Sequence, residues 1–492
     1  MSALSCVPAT FGNVSLIGAE ILSLQANLVA NYTISVPSSV RFTQPSIEVQ
    51  NASFCNITVT YTHPGQGDII TFESWLPAEE WNGRLQAVGG GGWVAGRSDP
   101  FYSAMGGAVG DGYATITTDA GLGNSFDVSS WALLSPGNVN LYNLQNLASV
   151  SLDDGAVIGK SLIKSYYGRG PDYSYWNGCS QGGRQGLMLA QRYPTQYDGI
   201  AAGAPGQYPH ACEVTTIAAA AVSACDDLDG VKDGIIGEVD ACLDAFNPFD
   251  MVGVDSNCTG APTISHAAAA VVNTTWQGMR DSQGLQLWPG LNPGTDLTVG
   301  VAATNCTPGP CRGVPLSIAT QWLSLFVARD PGINTSNLSH VEFDWLAHQG
   351  RQRYNSIIGT DDPDLSAFRD AGGKLITFHG LVDELLPPKG SVKYYSRVSD
   401  LIPEVHDFYR HFEVPGMGHC SGGRSGEPTS LFDQLRAWVE NGTAPDHTPV
   451  NVTIPEGDVQ GRIVCPYPQK AIVDSTCDRA LGTQCWSCEG NL

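Results

Sequence analysis

The chain is short of positive charge. Its 492 residues carry 25 Lys and Arg against 48 Asp and Glu, a net charge of −23. A surface of that sign repels phosphate backbones, so nucleic-acid binding is not expected. No run of ~18 uncharged apolar residues occurs, so no helix is expected to cross a membrane. Also missing are a His-Glu-x-x-His motif, clustered histidine pairs, and the glycine signatures of dinucleotide and P-loop sites, which argues against a catalytic zinc or a bound nucleotide. No internal repeat or low-complexity tract stands out. Met1 stands directly on small polar residues with no apolar stretch behind it, so we read a mature chain behind an added Met. Charged residues are only 15% and hydrophobic ones 42%, which excludes a disordered polymer and provides for a large core.

The chain has 14 Cys, an even number, many beside Gly, Pro, Asn or Ser. In a large acidic chain this reads as disulfides formed in an oxidising compartment. Eleven Asn-x-Ser/Thr sequons begin at Asn13, Asn31, Asn51, Asn56, Asn257, Asn273, Asn305, Asn334, Asn337, Asn441 and Asn451. Together these features predict a secreted, extracellular protein carrying N-glycans.

Alternating apolar runs predict strands at Asn56–Tyr61, Asp68–Trp75, Arg84–Val88, Tyr113–Thr118 and Tyr173–Trp176. Helical spacing covers 141–166 and Gly183–Arg192. The alternation predicts a mostly parallel α/β sheet. From 206 to 370 the chain turns to Cys, Asn, Pro and acidic loops, with helical patches at Ile217–Ser223 and Leu316–Phe326. The α/β rhythm resumes with a strand at Lys374–Phe378, a helix near Ser391–Val398 and a strand at His411–Val414. We therefore expect a catalytic core from 1–205 and 371–492, interrupted by a lid over 206–370. After Asn451 no periodicity is clear.

Gly178-Cys179-Ser180-Gln181-Gly182 fits G-x-S-x-G between a predicted strand and a predicted helix, the setting of a nucleophile elbow. A serine nucleophile needs a base, and the base needs an orienting carboxylate. Asp383 and His419 follow predicted strands in glycine-flanked loops and are the natural partners. Glu384 competes with Asp383, and His379 and His411 compete with His419. Cys179 precedes Ser180 and Cys420 follows His419, so a meeting of Ser180 with His419 would bring these cysteines together, and a Cys179–Cys420 disulfide would tether nucleophile to base. An oxyanion hole needs two N–H donors. Gln181, after the nucleophile, is one. The Gly89–Gly92 loop is the expected source of the second, with Gly91 the chosen residue.

Cys225–Ile236 crowds carboxylates around glycines. Asp226, Asp229 and Asp233, with the carbonyls of Val231 and Ile235, could wrap a hard cation; a solvated acidic turn is the other reading. No register of the loop gives an EF-hand. Cys225 and Cys242 flank it and could staple it. The lid aromatics Trp288, Trp322, Phe343, Trp345 and Tyr354 could line a phenolic pocket or simply pack a core.

The Cys-Ser, Asp and His-Cys elements, with G-C-S-Q-G-G-R-Q-G, the Gly89–Gly92 run, Ala201-Ala202-Gly203-Ala204-Pro205, Gly372–Ile376 and Pro415–Cys420, resemble the tannase/feruloyl esterase family over most of the chain. The resemblance implies an α/β-hydrolase core with a lid, and ester hydrolysis on phenolic acid esters. It implies Ser180, Asp383 and His419 as triad and Cys179–Cys420 as the bridging disulfide. It also implies a structural Ca²⁺ on Asp226, Asp229, Val231, Asp233 and Ile235, which we expect to lie far from the reacting groups. The expected substrate is a small phenolic ester or a feruloylated oligosaccharide. A tannin acyl hydrolase, a serine peptidase and a calcium-stabilised binding protein without catalysis are the competing readings.

Overall fold

The structure, a computed structural model, describes residues 5–12, 14–203, 212–258, 261–299, 303–305, 312–313, 316–335 and 338–492. The sequons at Asn13 and Asn337, the Ala204-Pro205 pair and the 205/206 boundary lie outside them. Nine strands make one sheet: β1 Glu20–Val36, β2 Ile47–Thr62, β3 Ile70–Pro77, β4 Arg84–Val88, β5 Ala114–Thr118, β6 Tyr173–Cys179, β7 Gly199–Gly203, β8 Lys374–Gly380 and β9 Tyr409–Val414. Their order across the sheet is β1-β2-β3-β5-β4-β6-β7-β8-β9. The first four in that order run antiparallel. From β5 to β9 every pairing is parallel. The fold is that of an α/β hydrolase.

The longer helices are α1 Asp99–Gly110, α2 Ser151–Tyr167, α3 Gln181–Arg192, α4 Cys212–Cys225, α5 His266–Gln277, α6 His340–Ile358, α7 Pro388–Leu401 and α8 Leu431–Asn441. Parallel strands need crossovers, and α1, α2, α3, α7 and α8 cover the two faces of the sheet. On one face Leu152 and Ile158 of α2, Leu189 of α3 and Tyr395 of α7 share a core with Leu85, Ile200 and Leu375 of the strands. On the other, Ala108 of α1 and Phe432, Leu435 and Trp438 of α8 pack on Tyr175, Ile376 and Phe412. With both faces covered, every residue of β6 and β8 after the first is buried, and neither strand alternates between buried and exposed positions.

The described residues between β7 and β8 add no strand to this sheet. Helices α4 and α5 build their own small core around Ile217, Val272 and Trp276. Helix α6 starts on a capping box between Ser339 and Glu342. Two expected helices are not uniform. The 141–166 stretch breaks into Leu141–Gln145, a π turn at Asn146–Val150, and α2. The Leu316–Phe326 stretch likewise runs from Ser317–Gln321 into a π turn at Trp322–Ala328. Apolar spacing reports which side faces the core, and a π turn keeps that side inward while changing the backbone ladder. After Asn451 two hairpins form, Thr448–Thr453 with Val459–Val464 and Lys470–Val473 with Trp486–Glu489. Disulfides Cys465–Cys488 and Cys477–Cys485 staple this region, which explains its order without periodicity.

Candidate active site

The elbow is where β6 turns into α3. Ser180 sits between them at φ 59°, ψ −123°, a conformation that costs a residue with a Cβ about 1–3 kcal/mol and recurs at functional sites. The flanking glycines are required by close approach. A Cβ on Gly178 would lie 2.8 Å from Gly182, and one on Gly89 would lie 2.6 Å from Gly182 Cα. The elbow thus rests directly on the Gly89–Gly92 loop, and the Gly182 N–H donates to Gly90 O at 2.9 Å.

That contact decides which amides the loop has left. Gly89 N–H donates to Asn177 O (3.2 Å) and Gly91 N–H to Val94 O (3.1 Å). Gly90 N–H donates to the side-chain oxygen of Gln185 (2.9 Å), whose own amide donates to Ala95 O (3.1 Å). Gly91, the expected second oxyanion donor, therefore has its N–H committed to closing a tight turn in which Gly92 takes φ +55°. Gln185, fully buried on α3, pins this loop, a role hidden within G-C-S-Q-G-G-R-Q-G. A buried amide side chain at the core-facing side of the helix was the available signal.

At the other side of the site, β8 and β9 end in the loops of Asp383 and His419. Val382 N–H donates to Met417 O (3.1 Å) and so laces the two loops together. A Cβ on Gly380 would lie 2.2 Å from Met417 O, so only glycine lets them meet. Asp383 is fully buried. Its Oδ2 accepts from His419 Nδ1 at 3.0 Å. Its Oδ1 accepts from the N–H groups of Leu385 and Leu386, 2.7 Å each. Burial pushes this carboxyl up, but hydrogen bonds from His379 and His419 outweigh burial and hold it well below the usual carboxylate range.

The competing residues have other places. Glu384 Oε2 accepts from the backbone N–H of His419 at 3.0 Å and so steadies the loop without touching the imidazole. His411 is buried and bonded to Thr377 (2.8 Å). Burial lowers its pKa to about 3, so it stays neutral. His379 lies on the far flank of Asp383, 1% exposed, with Nε2 3.0 Å from Oδ2. His419 keeps a side-chain exposure of 13%. Cys179 and Cys420 form a disulfide with Cα atoms 6.1 Å apart, so Ser180 and His419 flank one covalent bridge.

Aromatic residues between β7 and β8 meet the glycine loop. Trp93, next to Gly92, stacks on Phe326 at 5.5 Å and on Trp322 at 6.3 Å, and Trp322 meets Tyr354 edge-on at 5.0 Å. Trp322 and Tyr354 are thus packing residues. Trp288 and Trp345 stay largely exposed, 43% and 53%, and Phe343 is half-buried.

In the acidic loop Asp226 Oδ1 accepts from the N–H groups of Asp233 (3.0 Å), Gly234 (2.7 Å) and Ile235 (3.2 Å). Arg462, from the C-terminal hairpin, bonds Asp233 at 3.1 Å and Asp229 at 2.8 Å. This guanidinium was not visible in the local sequence, because it arrives from more than two hundred residues away. Burial, then the neighbouring Asp229 and Asp226, push the Asp233 carboxyl up to about 6 against the pull of Arg462. Among the described residues no group of three His, Cys, Asp or Glu side chains stands ready-arranged around a metal. The donor set nevertheless suits a hard cation: Asp229 and Asp233 share one guanidinium, Asp226 beside them meets only backbone N–H groups, and the excess negative charge is largely buried. The Cys225–Cys242 disulfide closes the loop as expected. Ile235 packs against Gly416, where a Cβ would be 2.6 Å from its Cδ1, in the segment that carries His419.

The family described as tannase and feruloyl esterase matches residues 55–209 and 206–485 of this chain. A probable feruloyl esterase of Arthroderma benhamiae is 36% identical over 482 residues, covering 92% of this chain and 88% of that one. A tannase of Aspergillus oryzae is 27% identical, covering 94% and 89%. Among solved structures, a tannin acyl hydrolase from Aspergillus niger superposes with a TM-score of 0.85 at 27% identity, over 99% of this chain and 95% of that one.

Proposed function

Because the chain belongs to the tannase and feruloyl esterase family and is a carboxylic ester hydrolase, we propose that it is a secreted serine esterase that cleaves feruloyl and related hydroxycinnamoyl esters of plant cell wall polysaccharides. The observation that carries the reading is the pairing of a strained serine elbow with a buried Asp383–His419 couple across the Cys179–Cys420 bridge.

In this reading Ser180 Oγ attacks the ester carbonyl and its proton passes to His419 Nε2. Asp383 holds the Nδ1–H and stabilises the imidazolium. The oxyanion receives the Gln181 N–H, at the start of α3 where the helix dipole helps. With Gly91 committed, the second donor is the amide of Gly92 at the crown of the turn. The tetrahedral adduct collapses and His419 returns the proton to the departing sugar hydroxyl. Water, activated by His419, then releases the phenolic acid from Ser180.

The acidic loop binds one Ca²⁺ in this reading, through Asp226, Asp229, Asp233 and the carbonyls of Val231 and Ile235. Bound there, the ion supplies the positive charge that Arg462 alone leaves short. Secretion and N-glycans are supported by five disulfides among the described residues and by exposed sequon asparagines at 31, 51, 334, 441 and 451.

A second reading, hydrolysis of galloyl esters, is favoured by the close superposition on a tannin acyl hydrolase. Methyl ferulate, methyl caffeate and methyl gallate assayed side by side separate the two. A kcat/KM higher for methyl gallate would replace the first reading by the second. Ser180→Ala should abolish all three activities with the fold intact. Turnover above a few per cent of the parent would remove Ser180 from the mechanism.

A further inference from the structure

The steps above leave His379 unused, yet its imidazole is held at both nitrogens. Nε2 lies 3.0 Å from Asp383 Oδ2, and Nδ1 lies 2.8 Å from the hydroxyl of Ser391 on α7. The same Oδ2 is 3.0 Å from His419 Nδ1. An ionised carboxylate can only accept, so each imidazole nitrogen facing it carries a proton. A neutral His379 with Nε2–H then has a bare Nδ1, which accepts the Ser391 hydroxyl. Ser391, His379, Asp383 and His419 thus form one directed chain, with one carboxylate oxygen shared by two imidazoles.

We propose that His379 is a positioning residue of the reaction: a second imidazole donor that fixes the rotamer of Asp383 and, by sharing its Oδ2, sets the basicity of His419. This rests on the triad reading. The physical consequence has a sign. With His379 present, the charge on Oδ2 is divided between two N–H donors. Without it, that charge falls on the Nδ1–H of His419 alone, which favours the imidazolium. His419 then stays protonated to higher pH and is a base over a narrower range. The carboxylate keeps its two backbone donors on Oδ1 but loses one of the two N–H groups that fix Oδ2.

Other groups around His379 do not change in such a variant. Asp383 is on its own loop, and Ser391 faces it from α7. From β9, its register partner is Glu413, and His411 lies two residues before that. On the opposite neighbour, β7 carries no titratable side chain.

The test uses His379→Leu, which loses the donor, and His379→Gln, whose side-chain amide can replace the Nε2–H. The His419 ring is followed by NMR titration with labelled histidine, and kcat and KM are measured against pH. The Leu variant should lose about 10–100-fold in kcat, the range of one hydrogen bond to a charged group, with KM nearly unchanged. Its His419 midpoint, and the acid limb of kcat/KM, should move up by about 0.5–1 pH unit. The Gln variant should recover most of both. A His419 midpoint that does not move, or a Gln variant no better than Leu, overturns the proposal. If His379→Leu does not fold, His379→Phe, which also lacks the donor but fills the place of the ring, carries the test with the same expected shift of the His419 midpoint; no shift overturns the proposal. The titration needs no turnover, so it decides the role of His379 separately from Ser180→Ala, whose residual activity would refute the nucleophile instead.

Discussion

Replacing Cys179 and Cys420 together by alanine should damage both stability and rate, by separable amounts. The bridge closes a loop with a sequence separation of 241. The chain-entropy model values such a closure at about 5 kcal/mol. With an unfolding entropy of about 2.1 cal/mol/K per residue over the chain, that is a fall of about 5 °C in Tm. The rate effect has a different origin. His419 lies in a segment with Gly416, Gly422 and Gly423 at positive φ, which has little stiffness of its own. Its ties to Asp383, to Glu384 and through Met417 to Val382 lead to the Asp383 loop, and those of Gly416, Arg424 and Gly426 lead to the acidic loop and the C-terminal hairpin. The disulfide joins the His419 segment covalently to the residue beside Ser180. Without it the Asp–His couple stays intact but can drift as a unit from the nucleophile. A drift of ~1 Å costs about 10²-fold in kcat. The assay is kcat on methyl ferulate at 25 °C, far below Tm, beside calorimetry of the same preparation. A Tm lowered by several degrees with kcat within twofold of the parent would show the bridge to be a staple alone. An unchanged Tm would refute the entropy argument as well.

Removal of calcium by a chelator should lower Tm, with metal analysis of the untreated protein giving one Ca²⁺ per chain; because Ile235 packs on Gly416, initial rate should fall with it, and readdition of Ca²⁺ should restore both. No bound calcium, or a Tm indifferent to chelation, would remove the ion. The pH dependence of stability should carry a signature of Glu413. Burial first, then Asp240 and Glu238, push this carboxyl up to about 7 from 4.5, against Lys389 and Lys470. A raised carboxyl binds its proton more tightly folded than unfolded, so its contribution is full below 4.5 and is lost as pH rises toward 7. Glu413→Gln should flatten that limb and make the protein more stable than the parent at pH 8, by up to about 3 kcal/mol. Equal stability of the two proteins at pH 8 in urea denaturation would refute it. Asp383 acts with the opposite sign: held low, its contribution is full above the usual carboxylate pKa and is lost progressively as pH falls below it.

Local chemistry made much of this protein legible. The elbow motif needs small residues at fixed positions around Ser180, and Asp383 and His419 each follow a strand in a glycine-flanked loop, so order along the chain put these three ahead of their competitors. The cysteines beside Ser180 and His419 pointed to a bridge for the same reason, since two residues that must meet bring their neighbours with them. What could not be read were the partners that arrive from elsewhere. Arg462 reaches Asp229 and Asp233 from the C-terminal hairpin, Gln185 spends its amide on a loop that passes under α3, and Gly91 closes a turn on Val94 whose geometry depends on that loop's fit against Gly182. His379 was one of three competing histidines by its position alone; only the packing of α7 against β8 gave it Ser391 on one side and Asp383 on the other. The sequence by itself determined which residues have the chemistry, because nucleophile, base and carboxylate are set by residue type and by the strand each one follows. Tertiary structure decided which hydrogen-bonding groups remain free to use it, because an amide or imidazole is available only when nothing brought near by the fold has already claimed it.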